Sequence, residues 1–262
     1  MPNAIDYKLE NGVAWITLNR PDARNAINAE MREEIIAVLT DARTNGEVRA
    51  LVLTGAGKGF CTGADLSGPR SQSPATPAAG REVMKTSSQR LMRTLWELEK
   101  PVIAAVNGVA AGLGSHLAFA SDLVIASEEA RFIEIFVRRG IAIDAAGAYL
   151  LPRLLGLSRA KELVFFGDDL PAAEALRLGL VNRVVPAAEL HSAAREWAEK
   201  LAQGPTFAIG MSKRLLNRSL ESSLETCLEE EALVQSLVTQ SEDTKEGMKA
   251  FVEKRAPRFI GR

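Results

Sequence analysis

Two glycine-rich segments of this chain have the residue types and the setting to hold negative charge. The first is Gly59-Phe60-Cys61-Thr62-Gly63-Ala64-Asp65-Leu66, and the second is Asn107-Gly108-Val109-Ala110-Ala111-Gly112-Leu113-Gly114. Each follows an apolar strand, Ala50 to Leu53 and Val102 to Val106, and the second then enters a helix over roughly Leu113 to Ala120. A strand that ends in a glycine turn and feeds a helix leaves backbone N–H groups without intrahelical partners. The helix dipole adds partial positive charge at the same point. Such a place receives a bound anion, or one that develops during a reaction. Small residues let backbone approach a ligand closely, so two loops at the carboxyl ends of neighbouring strands can aim two N–H donors at one oxygen. Taken singly, each segment also reads as a tight turn without chemistry. Taken together, in matching strand contexts, they point to one site.

The elements that must position these loops are legible along the chain. Residues 4–10 and 13–19 read as two strands around the Asn11-Gly12 hairpin turn. A polar loop, Arg20 to Ala26, follows, and Asn28 is placed to cap a helix whose apolar positions are Met31, Ile35, Val38 and Ala42. Thr54 to Gly59 reads as loop. Ser67 to Gly80, rich in Ser, Pro, Gly and Ala, is expected to be mobile and without regular structure. A helix then runs to about Glu99 and stops before Pro101. Leu123 to Ala126 is another apolar strand. Alternation of strand and helix favours a mostly parallel α/β sheet. From Ser158 onward nearly everything reads as helix, including an apolar face at Leu190, Ala194, Trp197 and Leu201. A late helix, about Ser222 to Gln240, carries an apolar stripe that reads as packing on its own domain, with packing on another subunit as the alternative.

Composition narrows the class. With 262 residues the chain can bury a full core. A formal net charge of −1 gives no bulk attraction to nucleic acid or to an anionic membrane. The two cysteines, Cys61 and Cys227, lack metal-type spacing and read as reduced thiols, which predicts a cytoplasmic protein. The N-terminal stretch has neither the apolar run of a signal peptide nor that of a membrane span. The two histidines, His116 and His191, have no partner at metal-ligand spacing, so no metal is expected.

The order of motifs resembles the crotonase superfamily, the enoyl-CoA hydratase/isomerase family. The resemblance rests on Arg24-Asn25-Ala26, Gly63-Ala64-Asp65-Leu66, Asn107-Gly108 with Gly112-Leu113-Gly114, Gly140 to Gly147, Ala172 to Val181, and Phe251. It implies an α/β crotonase (ClpP/crotonase-like) fold: a repeated ββα spiral core over 1–200, followed by a helical trimerisation region over 201–262. It implies an acyl-CoA substrate, with coenzyme A as part of that substrate and no separate cofactor. The thioester oxygen would lie between the N–H groups of Ala64 and Leu113, each such donor being worth about 3 kcal/mol in comparable sites. Arg24, Asn25 and Ala26 would hold the adenine and phosphate portion of CoA. Gly63, Asp65, Leu66, Gly112, Phe136 and Phe251 would complete the binding site, with Lys254 a weaker candidate beside Phe251. A homotrimer or a dimer of trimers would follow.

The acid/base positions depart from the hydratase pattern that the resemblance brings. Its two glutamates would fall at His116 and Phe136, and neither is a carboxylate. Glu134 is two positions from Phe136, and in an extended segment it would be displaced by about 7 Å, so it is not expected to substitute. Asp144 stands where related isomerases, including the ring-epoxide isomerase of phenylacetyl-CoA breakdown, carry an Asp. Apolar neighbours would raise its pKa and make it a better base near neutral pH; the alternative is a cap on a helix starting at Ala145. His116 reads as a proton carrier, a ligand-orienting group or a satisfied core residue. His191, Trp96, Trp197 and the Arg138-Arg139 pair read as surface, core or subunit-contact residues. The expectation is an acyl-CoA isomerase with Asp144 as proton shuttle. The alternatives are a hydratase using His116 in place of a glutamate, and a non-catalytic acyl-CoA-binding homologue.

Overall fold

The computed structural model describes residues 3–67 and 76–262. A hairpin, β1 (Ile5–Glu10) and β2 (Val13–Leu18), opens a sheet that continues in parallel through β3 (Ala50–Gly55), β5 (Val102–Val106), β7 (Leu123–Ser127) and β10 (Arg183–Val185). Its side chains alternate in destination, as the period of a strand requires. Leu51 and Leu53 of β3 and Val102, Ala104 and Val106 of β5 join the main core. Ala50, Val52, Ile103 and Ala105 face a second cluster. That cluster is closed by α8 (Leu190–Ala202), through Leu190, Ala193, Ala194, Ala198 and Ala202. The helical spacing of these residues is the apolar face legible in the sequence.

A second sheet, which the repeated ββα spiral supplies and which local pattern alone did not show, is built from four strands of three residues each: β4 (Gly59–Cys61), β6 (Val109–Ala111), β8 (Arg131–Ile133) and β9 (Asp169–Pro171). Such strands are too short for a hydrophobic period to register. The chain passes from β3 to β4, from β5 to β6 and from β7 to β8, so each turn of the spiral contributes one strand to each sheet. Of the stretch read as loop, Thr54 and Gly55 end β3 and Gly59 begins β4, so only Ala56 to Lys58 bends between the sheets.

Helices differ from expectation at their ends. Asn28 caps α1 (Ala29–Thr44) by accepting from the Met31 N–H at 2.9 Å, as predicted. Residues 77–80, expected to be unstructured, begin α2 (Pro77–Thr86) because the Thr76 side chain accepts from Ala79 N–H and Pro77 occupies the first turn. The rest of that stretch, 68–75, lies outside the described residues. The helix expected to reach Glu99 breaks at Ser87 and ends as α3 (Ser88–Trp96). α4 (Leu113–Ala120) is buried along its whole length.

The C-terminal region comprises α9 (Thr206–Ser219), α10 (Leu224–Val238) and α11 (Glu242–Glu253). The expectation that the apolar stripe of the late helix packs on its own domain fails. No residue of α10 is buried, and Leu224, Leu228, Leu233 and Leu237 are each more than half exposed, at 69%, 54%, 57% and 57%. Amphipathic spacing shows that a face is apolar but not which surface covers it.

Candidate active site

The second sheet delivers the two glycine segments to one place. β4 pairs in parallel with β6, Gly59 opposite Val109 and Cys61 opposite Ala110, so the loops that leave them run side by side. Gly63 has φ +95°, and a Cβ there would lie 2.8 Å from the Ala111 carbonyl oxygen and 3.5 Å from the Leu113 nitrogen. Only glycine lets the two backbones meet so closely. Gly112, at φ 51° and ψ −120°, caps α4, a conformation that a side chain would oppose.

This contact orients two N–H groups. Ala64 forms an isolated parallel bridge with Ile27: Ile27 N–H donates to Gly63 O at 2.8 Å, and Asp65 N–H donates to Ile27 O at 2.9 Å. Because its neighbours make both bonds, Ala64 turns its own N–H to the opposite side. Leu113 opens α4, so its N–H has no intrahelical acceptor. Neither N–H donates to a protein acceptor among the described residues. The arrangement has the form of a two-donor oxyanion site.

A cavity of about 860 Å³ opens beside it, lined by Arg24, Lys58, Thr62, Arg131 and Arg139 among others. Arg131 also pairs with Asp169 at 3.5 Å, and Arg138 pairs with Asp169 at 3.1 Å. A cationic wall suits a phosphorylated ligand. Sequence reasoning placed Arg24 here but missed Lys58 and Arg131, and it read Arg139 as a solvated or subunit-contact residue. A lysine between two glycines in a loop beside the first segment is a signal that could have been used.

Asn25 works differently from Arg24. Its fully buried side chain accepts from Arg20 N–H at 3.0 Å and donates to the Ala56 and Gly59 carbonyls at 2.9 and 2.8 Å. It thereby ties the 20–26 loop to the β3–β4 bend. Asp65 is held by Arg20 at 2.8 Å and by Ser67, which lower its pKa, the Ser67 hydrogen bonds being the larger cause. Leu66 and Phe251 are exposed, at 52% and 82%.

Beneath the donors lies a buried polar cluster. His116, one turn into α4, places Nε2 2.9 Å from Glu134 Oε2; His116 is 0% and Glu134 4% exposed. Glu134, expected to lie displaced from Phe136, is set against His116. β8 ends at Ile133, and the chain turns through Phe136 (φ −57°, ψ −51°) into a single 3-10 turn, so the extended spacing no longer applies. Phe136 is buried and stacks on the imidazole, with ring centroids 5.4 Å apart and an 18° interplanar angle.

Asp144 faces this cluster from the loop after the 3-10 turn. It is not a helix cap: α5 (Gly147–Leu155) starts later, is preceded by Ala146, and accepts no side-chain cap bond. Only the Asp144 backbone carbonyl takes part, accepting from Gly147 N–H at 2.9 Å. Burial raises the Asp144 pKa above the ordinary carboxylate value, the neighbouring His116 opposes that rise and Glu134 adds to it. Cys61, also buried, has its thiol pushed up to about 12. The other histidine, His191, is exposed and stacks on Trp15 at 4.4 Å, and Trp96 meets Tyr149 edge-on at 5.6 Å. No group of metal ligands occurs, and no helix is long and apolar enough to cross a membrane, among the described residues.

A spiral of two sheets that presents paired N–H donors beside a cationic cavity defines the acyl-thioester class of site. Comparison with known proteins agrees. The family model described as enoyl-CoA hydratase/isomerase matches residues 8–262. The 1,2-epoxyphenylacetyl-CoA isomerase of Escherichia coli is 41% identical over 256 residues, covering 97% of each chain. The short-chain-enoyl-CoA hydratase of Clostridium acetobutylicum is 39% identical over 254 residues, covering 97% of this chain and 96% of that one. The crystal structure of an enoyl-CoA hydratase/isomerase from Cupriavidus metallidurans superposes with a TM-score of 0.93 at 38% identity, covering 99% and 97% of the two chains. This chain belongs to the enoyl-CoA hydratase/isomerase family, with the crotonase fold.

Replacing Asn25 by Ala removes three hydrogen bonds; the Gly59 carbonyl keeps the Asn107 side chain as donor, while each backbone group left unsatisfied costs about 1–3 kcal/mol. The expected result is a lowered urea midpoint with an unchanged m-value, together with a raised KM for acyl-CoA. An unchanged midpoint would show that the loop does not depend on Asn25.

Proposed function

We propose that this enzyme is an acyl-CoA isomerase in which Asp144 carries a proton from one carbon of the acyl group to another. The observation that supports it is the chemistry around the donors: hydrocarbon at Phe136, and at Asp144 a carboxyl group that caps no helix and whose pKa is raised. The thioester oxygen sits between the Ala64 and Leu113 N–H groups. Asp144 takes a proton from an acyl carbon, and the C–H electron pair enters an enolate held by the two donors. The protonated Asp144 then returns the proton at a different carbon, and the double bond or ring bond shifts. A raised pKa brings base and conjugate acid closer in energy near neutral pH, as both half-steps require. Gly63 and Gly112 let the donors approach the thioester, while Arg24, Lys58 and Arg139 take the phosphates of CoA. No cofactor or metal is needed, because CoA belongs to the substrate.

A second reading is favoured by the His116–Glu134 pair: a hydratase in which this pair replaces the missing carboxylates. Water addition must both activate water and protonate carbon, and Phe136 supplies neither, which is why isomerisation ranks first. Relatives named for each activity are about equally similar to this chain. The exposed leucines of α10, together with Phe251 and Val252 of α11, further support a homotrimer or a dimer of trimers formed by residues 201–262.

Purified enzyme given 2-enoyl-CoA and 3-enoyl-CoA esters is expected to move the double bond without net hydration. Hydration of the 2-enoyl ester would favour the second reading, and acyl-CoA binding without turnover of any ester would point to a binding protein. Asp144→Asn should lower the isomerisation rate by about 10²–10⁴-fold; an intact rate would remove Asp144 as the base.

The pH profile of kcat/KM should lose activity on the acid side at a pH above that of an ordinary carboxylate. The same shift predicts a stability effect. With the folded pKa raised above the unfolded one, the folded state binds the proton more tightly, so stability falls as pH rises between the two values. Asp144→Asn should therefore unfold at a higher temperature than the parent at neutral pH, with the difference vanishing at low pH. Light scattering of the parent should return the mass of three or six chains, and a monomer at micromolar concentration would refute the assembly.

A further inference from the structure

The mechanism above leaves the buried carboxyl beside His116 unused. Glu134 lies against His116, and both are almost wholly inaccessible. Three features hold the pair in place. Gly112 N–H donates to Ile133 O at 2.9 Å, and the Ser115 hydroxyl donates to Ala110 O at 2.8 Å while accepting from Ile133 N–H at 3.4 Å. The end of β8 is thus fastened to the first turn of α4, which brings Glu134 level with His116. One face of the imidazole is covered by Phe136. Its edge is fitted against Gly147, where an added Cβ would lie 2.2 Å from Cε1 and 2.3 Å from Nε2. The ring therefore has little freedom to turn, and Nε2 stays on Glu134 Oε2.

The remaining atoms of the pair are uncommitted. His116 Nδ1 and Glu134 Oε1 are buried and have no protein hydrogen-bond partner. A buried polar atom without a partner costs roughly 1–3 kcal/mol. A core pair selected for stability alone would be expected to satisfy both atoms or to be apolar. The position of His116 matters too, since it lies three residues beyond the Leu113 donor on the same helix.

We propose that Glu134 is the positioning residue of His116: it holds the imidazole by the Nε2–H, leaving Nδ1 as the nitrogen that exchanges a proton with the bound acyl-CoA. The proposal rests on the acyl-CoA reading above. In the exchange, the Nδ1 lone pair takes a proton from a carbon or a water while the released electron pair stays on the atom that lost it. Nδ1 gives the proton back in the reverse step. Asp144 and Glu134 are the ionisable groups facing His116, from the loop before α5 and from the end of β8. Together the three form a two-carboxyl, one-imidazole centre in place of the two glutamates of a hydratase.

The test uses the two-histidine composition of the chain. His191→Gln, remote from the site and expected to leave activity unchanged, makes His116 the only imidazole. ¹⁵N NMR of that protein should show the proton on Nε2 and none on Nδ1. Glu134→Leu in the same background should lose this fixed assignment. It should lower kcat by about 10²-fold or more with KM little changed. Glu134→Gln, which keeps an acceptor, should fall between. An unchanged Nε2 signal and kcat in Glu134→Leu would overturn the proposal. So would a loss of kcat that follows lost thermal stability while the tautomer stays fixed. The NMR result is read on resting protein, so it is scored separately from Asp144→Asn, whose intact activity would instead refute the isomerase reading.

Discussion

The structure depends on the close contact between two backbone turns, one after β4 and one after β6. Neither turn has a side chain at the point of contact. Gly63 lies against Ala111 and Leu113, and Gly112 takes the conformation that starts α4. The contact requires two parallel three-residue strands, paired with a register shift between Gly59 and Cys61, and so requires the spiral to carry the chain from one sheet to the other on each turn. The large sheet and its two hydrophobic clusters are the support for that crossing. The N–H groups of Ala64 and Leu113 are fixed in direction by this framework, and neither has a protein acceptor among the described residues.

Around this rigid backbone the electrostatics are concentrated rather than spread. Phe136 places hydrocarbon where a hydratase would place a carboxylate, and it also covers one face of His116. The same low-polarity wall strengthens the influence of the charges that remain. Burial raises the pKa of Asp144, a rise that the neighbouring His116 opposes and Glu134 adds to. Outside this centre the cavity wall is cationic, through Arg24, Lys58 and Arg139, and Asn25 holds the loop that carries Arg24. Charge is thus divided: cations line the cavity wall, and a nearly dry polar cluster lies beneath the two N–H groups.

Much of the framework was legible from local pattern. The Asn11-Gly12 hairpin, the Asn28 cap, strands β3, β5 and β7, helix α4 and the apolar face of α8 all follow from turn chemistry, capping and period. The second sheet was not legible, because three residues are too few to show alternation. Residues 77–80 were misread because a Ser- and Pro-rich composition hid the Thr76-Pro77 helix start. The stripe of α10 was legible as apolar, but its direction was not.

By itself the sequence determined the family, the two glycine segments, the His116 and Phe136 identities and the presence of Asp144. These are carried by residue identity and order, which survive without coordinates. Only the tertiary structure decided that Asp144 is not a helix cap, that Arg139 joins Arg24 on one cavity wall, and that Glu134 meets His116. The reason is geometric. Glu134 and His116 are eighteen residues apart in sequence, and their contact depends on where a short strand ends and on which direction the chain turns next. β8 ends at Ile133, and Glu134, the next residue, is set against His116 before the 3-10 turn over Val137–Arg139 begins.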